Sequence, residues 1–246
     1  VSNMTTDDRH AAGSGRATAA RLGFYAAILM AIVTVVTFAL ALTAIPISGA
    51  NCPGDCIAYP YLDTLAQFPR DYRWMPPAIA LVLLYVILAV CIQGYAAARK
   101  RVYAQLGLAL AGMSAVILVS AYYIQFAVVP VSLMRGETEG IALLTQYNPH
   151  GVFIAMEELG YLLMSLSFLF IAPVFAGGTR LERAVHWIFL AGFTGAFLAL
   201  AVIGFVYGLD RQDRFEVAVI SIDWLVLLVN GVLLSLVFRR EIRHTV

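Results

Sequence analysis

Six long apolar runs dominate this 246-residue chain, and they leave little choice about its fold. About 20 residues at 1.5 Å each carry a helix across the hydrocarbon of a bilayer. Residues 22–45, 75–98, 102–129 and 184–208 reach or exceed that length without one Asp, Glu, Lys or Arg. Residues 151–175 and 217–238 match them in length but carry Glu157, Glu158 and Asp223. These runs are continuously apolar rather than alternating, which selects helices over a membrane barrel. The expected fold is therefore all-α: a polytopic bundle of about six transmembrane helices, with the lipid bilayer as its principal partner.

Composition agrees with that solvent. Hydrophobic residues make up 61% of the chain and charged residues 13%, whereas a soluble domain is nearer half and a quarter. A formal net charge of +1 gives no reason to expect nucleic acid as a partner. Nothing in the chain opposes assembly as a homo-oligomer.

The basic residues orient the bundle. Six spans place Arg9, Arg16, Arg21, Arg99, Lys100, Arg101, Arg180, Arg183, Arg239, Arg240 and Arg243 on one side. The other side holds Arg70, Arg73, Arg135, Arg211 and Arg214. Basic residues concentrate in short cytoplasmic loops. Both termini are thus expected in the cytoplasm, in a cell (plasma or inner) membrane. The same orientation puts Cys52 and Cys56, four apart around Pro53-Gly54, on the oxidising side, where a local disulfide persists. Cys91 falls inside an apolar run and reads as a small core residue.

Outside the spans, residues 1–20 are rich in Ser, Thr, Gly and charge and read as a disordered cytoplasmic tail. Residues 241–246 form a second short tail, and 21–240 a single transmembrane domain. Residues 46–74 are the longest external loop, with Tyr59, Tyr61, Phe68, Tyr72 and Trp74 as interfacial anchors or a lid. Residues 140–147 suit a short interfacial helix.

The intramembrane acids are the functional lead. An ionisable group near the centre of a span costs roughly 2.5–3.5 kcal/mol on insertion scales, so it needs a partner or a purpose. Counted from the starts of their runs, Glu157, Glu158 and Asp223 fall at one depth, roughly 10 Å below the outer surface. Asn230 shares a face with Asp223, and Tyr161 and Ser165 share one with Glu157. Tyr122 and Gln125 lie in the outer half of the third span, and His150 at the mouth of the fourth. Together, Glu157, Glu158, Asp223, Asn230, Tyr161, Tyr122, Gln125 and His150 form the candidate polar cavity. Adjacent Glu157 and Glu158 point about 100° apart, so one of them faces inward. The bland alternative is that these groups satisfy one another as interhelical glue.

No other chemistry is evident. The single lysine, Lys100, lies in a loop, which opposes a Schiff-base cofactor in the core. No Walker or dinucleotide glycine pattern occurs, the four histidines are scattered, and no cofactor, metal site or catalytic residue is expected. The leading expectation is a small transporter or channel for a cation or small solute. Gly107, Gly112, Gly192 and Gly195 would allow close helix approach in it. An intramembrane enzyme acting on a lipid or quinone, and an accessory or sensory protein using its external loops, are the alternatives.

Overall fold

The computed structural model describes the backbone of residues 6–245 and the side chains of residues 15–243. The principal helices are α1 (Thr6–Ala41), α2 (Met75–Tyr95), α3 (Arg101–Ala127), α6 (Val152–Phe175), α7 (Arg180–Tyr207) and α8 (Arg214–Thr245). Two short helices, α4 (Val129–Arg135) and α5 (Ile141–Leu144), lie between α3 and α6. All six long helices are apolar enough to cross a membrane, and no strand occurs among the described residues. The all-α bundle expected from the sequence is the observed fold.

The long helices form a ring in chain order. Each packs on its sequence neighbour, α8 closes the ring against α1, and α6 reaches across to α8. α6 is the most enclosed, with 61% of its most apolar stretch buried, against 17% for α7. α6 is therefore the central element and α7 a flank whose surface must meet lipid.

Helix ends follow local chemistry. α1 stops at Ala41, short of the expected 45, where the Thr43 and Ala44 amides bond three residues back, to Leu40 and Ala41, and tighten the last turn. α7 starts at Arg180 rather than 184: the Thr179 hydroxyl accepts from the Glu182 amide and the Glu182 carboxylate accepts from the Thr179 amide. α8 starts at Arg214 rather than 217, following Asp213-Arg214-Phe215-Glu216, the spacing of a capping box. Val128 interrupts the third span, and Pro130 then opens α4 near its N-terminus, where its missing N–H costs nothing.

The expected tails are helical where they are described. α1 begins at Thr6 and α8 runs to Thr245, so residues 6–20 and 241–245 extend the spanning helices. An Arg16–Glu241 ion pair at 2.6 Å joins the two extensions. Residues 1–5 and 246 lie outside the described residues.

Close approach is supplied by two of the four glycines expected to give it. A Cβ on Gly107 would lie 2.5 Å from Ile171 Cγ1, and one on Gly192 2.5 Å from Val226 Cγ2. Gly112 has open space around it, and Gly195 has only ordinary contacts. Against Gly107, the Ser167 hydroxyl donates to the Gly107 carbonyl at 2.6 Å. That leaves the Tyr85 hydroxyl as the donor to Ser167 at 2.7 Å, which ties α2, α6 and α3 together deep in the bundle. In α1, buried Thr34 and Thr37 donate to their own helix carbonyls at 2.7 Å and add no polarity to the core.

Candidate functional site

One end of the ring carries the 42–74 segment, α4, α5 and the α7–α8 turn, and this end is hollow. The Cys52–Cys56 disulfide expected from the sequence is formed in its longest segment. Side chains bind the segments to the helices. Asp213 accepts from the Ala50 amide at 2.8 Å, so the start of α8 holds the 46–51 stretch in place. Gln125 donates to the Leu144 carbonyl and accepts from the Gln146 amide at 2.9 Å, fixing the turn after α5 onto α3. Tyr147 donates to Asp71 at 3.1 Å, and Arg70 pairs with the same carboxylate at 2.6 Å. Burial, reinforced by Tyr72 and Asp71, pushes the Tyr147 hydroxyl well above the ordinary tyrosine range, so it remains a donor.

These ties enclose a cavity of about 510 Å³ between α1, α8, the start of α6 and the loops. That volume suits a small organic molecule. Phe38, Trp74, Phe153 and Trp224 form its aromatic walls, and Asp71, Asp213 and Glu216 its acidic groups. No Lys or Arg lines it. Asp71 already has Arg70 and Tyr147, and Asp213 has the Ala50 amide. Glu216 has no cationic partner among the described residues. One flank of the rim is formed by Leu42, Ile45 and Val217, whose exposed side chains face the outside of the bundle between α1 and α8.

Behind Glu216 a polar column descends into the bundle. Its carboxyl lies beside that of Glu157, which is fully buried on α6. Neither Glu157 oxygen has a hydrogen-bond donor in good geometry; the Tyr122 hydroxyl is its other polar neighbour. Tyr122 and Tyr161 share a hydrogen bond of 2.8 Å, and the Trp224 indole donates to Tyr161 at 2.9 Å. One clasp thus joins α3, α6 and α8, while the other face of Trp224 borders the cavity. Trp74 packs edge-on against Tyr122, 5.3 Å between centroids, and lies against Trp224 as well.

The eight residues singled out from sequence separate into distinct places. Glu157, Tyr122 and Tyr161 come together, and Glu157 is the inward member of the glutamate pair. Glu158, one residue on, turns toward the rim and pairs with Arg211. His150 is exposed and borders a shallow pocket with Glu158 and Arg211. Gln125 is a loop fastener. Asp223 accepts from Ser165 at 2.8 Å and leaves its other oxygen without a donor. Asn230 is buried deeper, with both amide atoms unpartnered.

The equal depth expected for Glu157 and Asp223 is not observed. Asp223 is level with Ser165, eight residues beyond Glu157 on a parallel helix and so about 12 Å deeper. Because α8 begins earlier than its apolar run, the acid that meets Glu157 is Glu216. Its signal was present: Glu216, Asp223 and Asn230 recur every seven residues, the spacing of a single helix face. Asp71, Asp213 and Trp74 carry no such period, since loop contacts bring them to the cavity. No cluster of three or more His, Cys, Asp or Glu suited to a metal occurs among the described residues.

Comparison with models of known protein families, with curated proteins and with solved structures finds no match to this chain.

Proposed function

We propose that this protein binds a cationic, partly apolar small molecule in the cavity and passes it across a cell membrane. The observation that carries the reading is an acidic side chain, Glu216, without a cationic partner in a chamber walled by Phe38, Trp74, Phe153 and Trp224. Aromatic faces attract cations, and a carboxylate in a partly dry site attracts them further. The rim at Leu42, Ile45 and Val217 suits entry from the lipid side, the route an amphiphilic solute would take. With eleven of sixteen basic residues on the side of the termini, the termini are assigned to the cytoplasm and the cavity opens away from it.

Tryptophan fluorescence tests the binding, because two of the three tryptophans, Trp74 and Trp224, line the cavity. In a W187F background, tetraphenylphosphonium should change the emission of purified protein with saturation. E216Q should weaken that response at least tenfold. Proteoliposomes should take up the same probe, and E216Q should not support uptake. Equal affinity in E216Q would refute the reading. Orientation is checked separately: E137C should react with a membrane-impermeant maleimide added outside cells, and R99C should not.

A second reading is favoured by the contact of two carboxyls, Glu157 and Glu216, beside a lateral opening. Such a pair can act as acid and base on a lipid-phase substrate. Incubation with a lipid extract separates the two: a transporter returns its solute unchanged, whereas an enzyme yields a product of altered mass that disappears in E157Q.

A further inference from the structure

Glu216 and Glu157 face one another from parallel helices with no cation between them. The surrounding groups do not supply one. Around Glu157 are Tyr122 from α3 and, on its own helix, Tyr161. Around Glu216 are Asp213 on its own helix and Glu158 on α6, both acidic. Of the basic groups at this end, Arg211 directs its guanidinium to Glu158 and lies over the Phe215 ring, and Arg214, on the same helix as Glu216, donates to the Asp210 carbonyl and lies over the Tyr207 ring. Two carboxyls in contact, one of them fully buried and neither with a cation, hold one proton between them, because two bare charges that close repel strongly. Only Glu216 lines the cavity; Glu157 is sealed behind it.

We propose that an organic cation entering the cavity displaces the single proton shared by Glu216 and Glu157, so that binding exchanges one cation for one proton. This inference rests on the cation-binding reading above. The arriving positive charge sits against Glu216 and takes the role the proton had, neutralising the repulsion between the carboxyls. A carboxyl O–H bond breaks, the proton passes to water in the cavity, and the site keeps its net charge. Glu157 is a positioning residue here, since it touches no ligand and acts by forcing Glu216 to share a proton.

The test uses the full chain in detergent micelles with tetraphenylphosphonium chloride, in weak buffer with a pH indicator. Calorimetric titrations in buffers of different ionisation enthalpy run in parallel. Wild-type protein should release about one proton per bound cation, with affinity rising up to tenfold per pH unit where release occurs. E157Q should still bind, release none, and show affinity that is flat with pH. E216Q should lose binding. Binding by wild type without proton release overturns the exchange and leaves the cavity reading standing, whereas failure to bind overturns both. Release from E157Q equal to wild type also overturns the exchange. If either amide variant does not elute as a single folded species, E157D and E216D carry the test. Each should keep the release and move the pH midpoint of binding; an unmoved midpoint in both overturns the assignment.

Discussion

Tyr161→Phe separates the clasp from the packing that surrounds it. The ring of Tyr161 is wholly buried, and phenylalanine fills the same space, so the change removes a hydroxyl and little else. That hydroxyl has two partners on two other helices, Tyr122 at 2.8 Å and the Trp224 indole at 2.9 Å. Interhelical hydrogen bonds in a membrane average about 0.6 kcal/mol in double-mutant cycles and reach about 1.7. Losing two gives about 1–3 kcal/mol, the upper end applying if the Trp224 N–H is left buried without an acceptor. The assay is reversible unfolding of Y161F, Y122F and Y122F/Y161F in mixed micelles of rising dodecyl sulfate content. Y161F should lose about 1–3 kcal/mol, and the double variant should cost less than the sum of the singles, since both hydroxyls of one bond are gone. A cost below about 0.5 kcal/mol, or strict additivity, would refute the claim that this bond joins α3 to α6.

Three further outcomes follow from particular side chains. Gly107→Leu should prevent close packing of α3 on α6, where even a Cβ would meet Ile171 at 2.5 Å, while Gly112→Leu, in open space, should fold normally; monodispersity on size exclusion reads both. Asn230→Leu should raise the unfolding free energy by about 1–2 kcal/mol, because both buried amide atoms lack partners; a lowered value would mean that Asn230 has a polar partner when folded. C52S/C56S should lose at most about 2 kcal/mol, the closure entropy of so short a loop, since the residues are only four apart. Thermal melts of reduced and oxidised wild type measure the same quantity.

The spans were legible because lipid imposes one rule on every residue that faces it. A run such as 102–129 has no charge to place, and a helix is the only open structure that hides its backbone there. The disulfide was legible for a similar reason: two cysteines flanking Pro53-Gly54 have each other within reach whatever the rest of the chain does. Helix starts were less legible, because apolar runs mark where lipid begins rather than where hydrogen bonding begins. Thr179 and Asp213 each stand three residues before a glutamate, and those pairs, rather than hydropathy, mark the first turns of α7 and α8.

That difference at the start of α8 decides the site. If the helix is started at 217, Glu216 belongs to a loop and Asp223 becomes the nearest acid to Glu157. Started at Arg214, the helix carries Glu216 two turns above Asp223 and delivers it to the cavity mouth. The remaining cavity acids arrive by a different route. Asp213 is held by the Ala50 amide and Asp71 by Arg70 and Tyr147, contacts between segments far apart in sequence and without any period to announce them. Those two carboxylates are therefore occupied in shaping the chamber, and Glu216 is a cavity acid with no cationic partner among the described residues. Asp223 and Asn230, on the same face of α8, lie below the Trp224–Tyr161–Tyr122 clasp, the first held by Ser165 and the second unpartnered. A solute in the cavity would have to open that clasp to reach them. Y161F accordingly bears on passage as well as on stability: if the clasp is the inner gate, the variant should bind tetraphenylphosphonium as wild type does and leak it faster from loaded proteoliposomes.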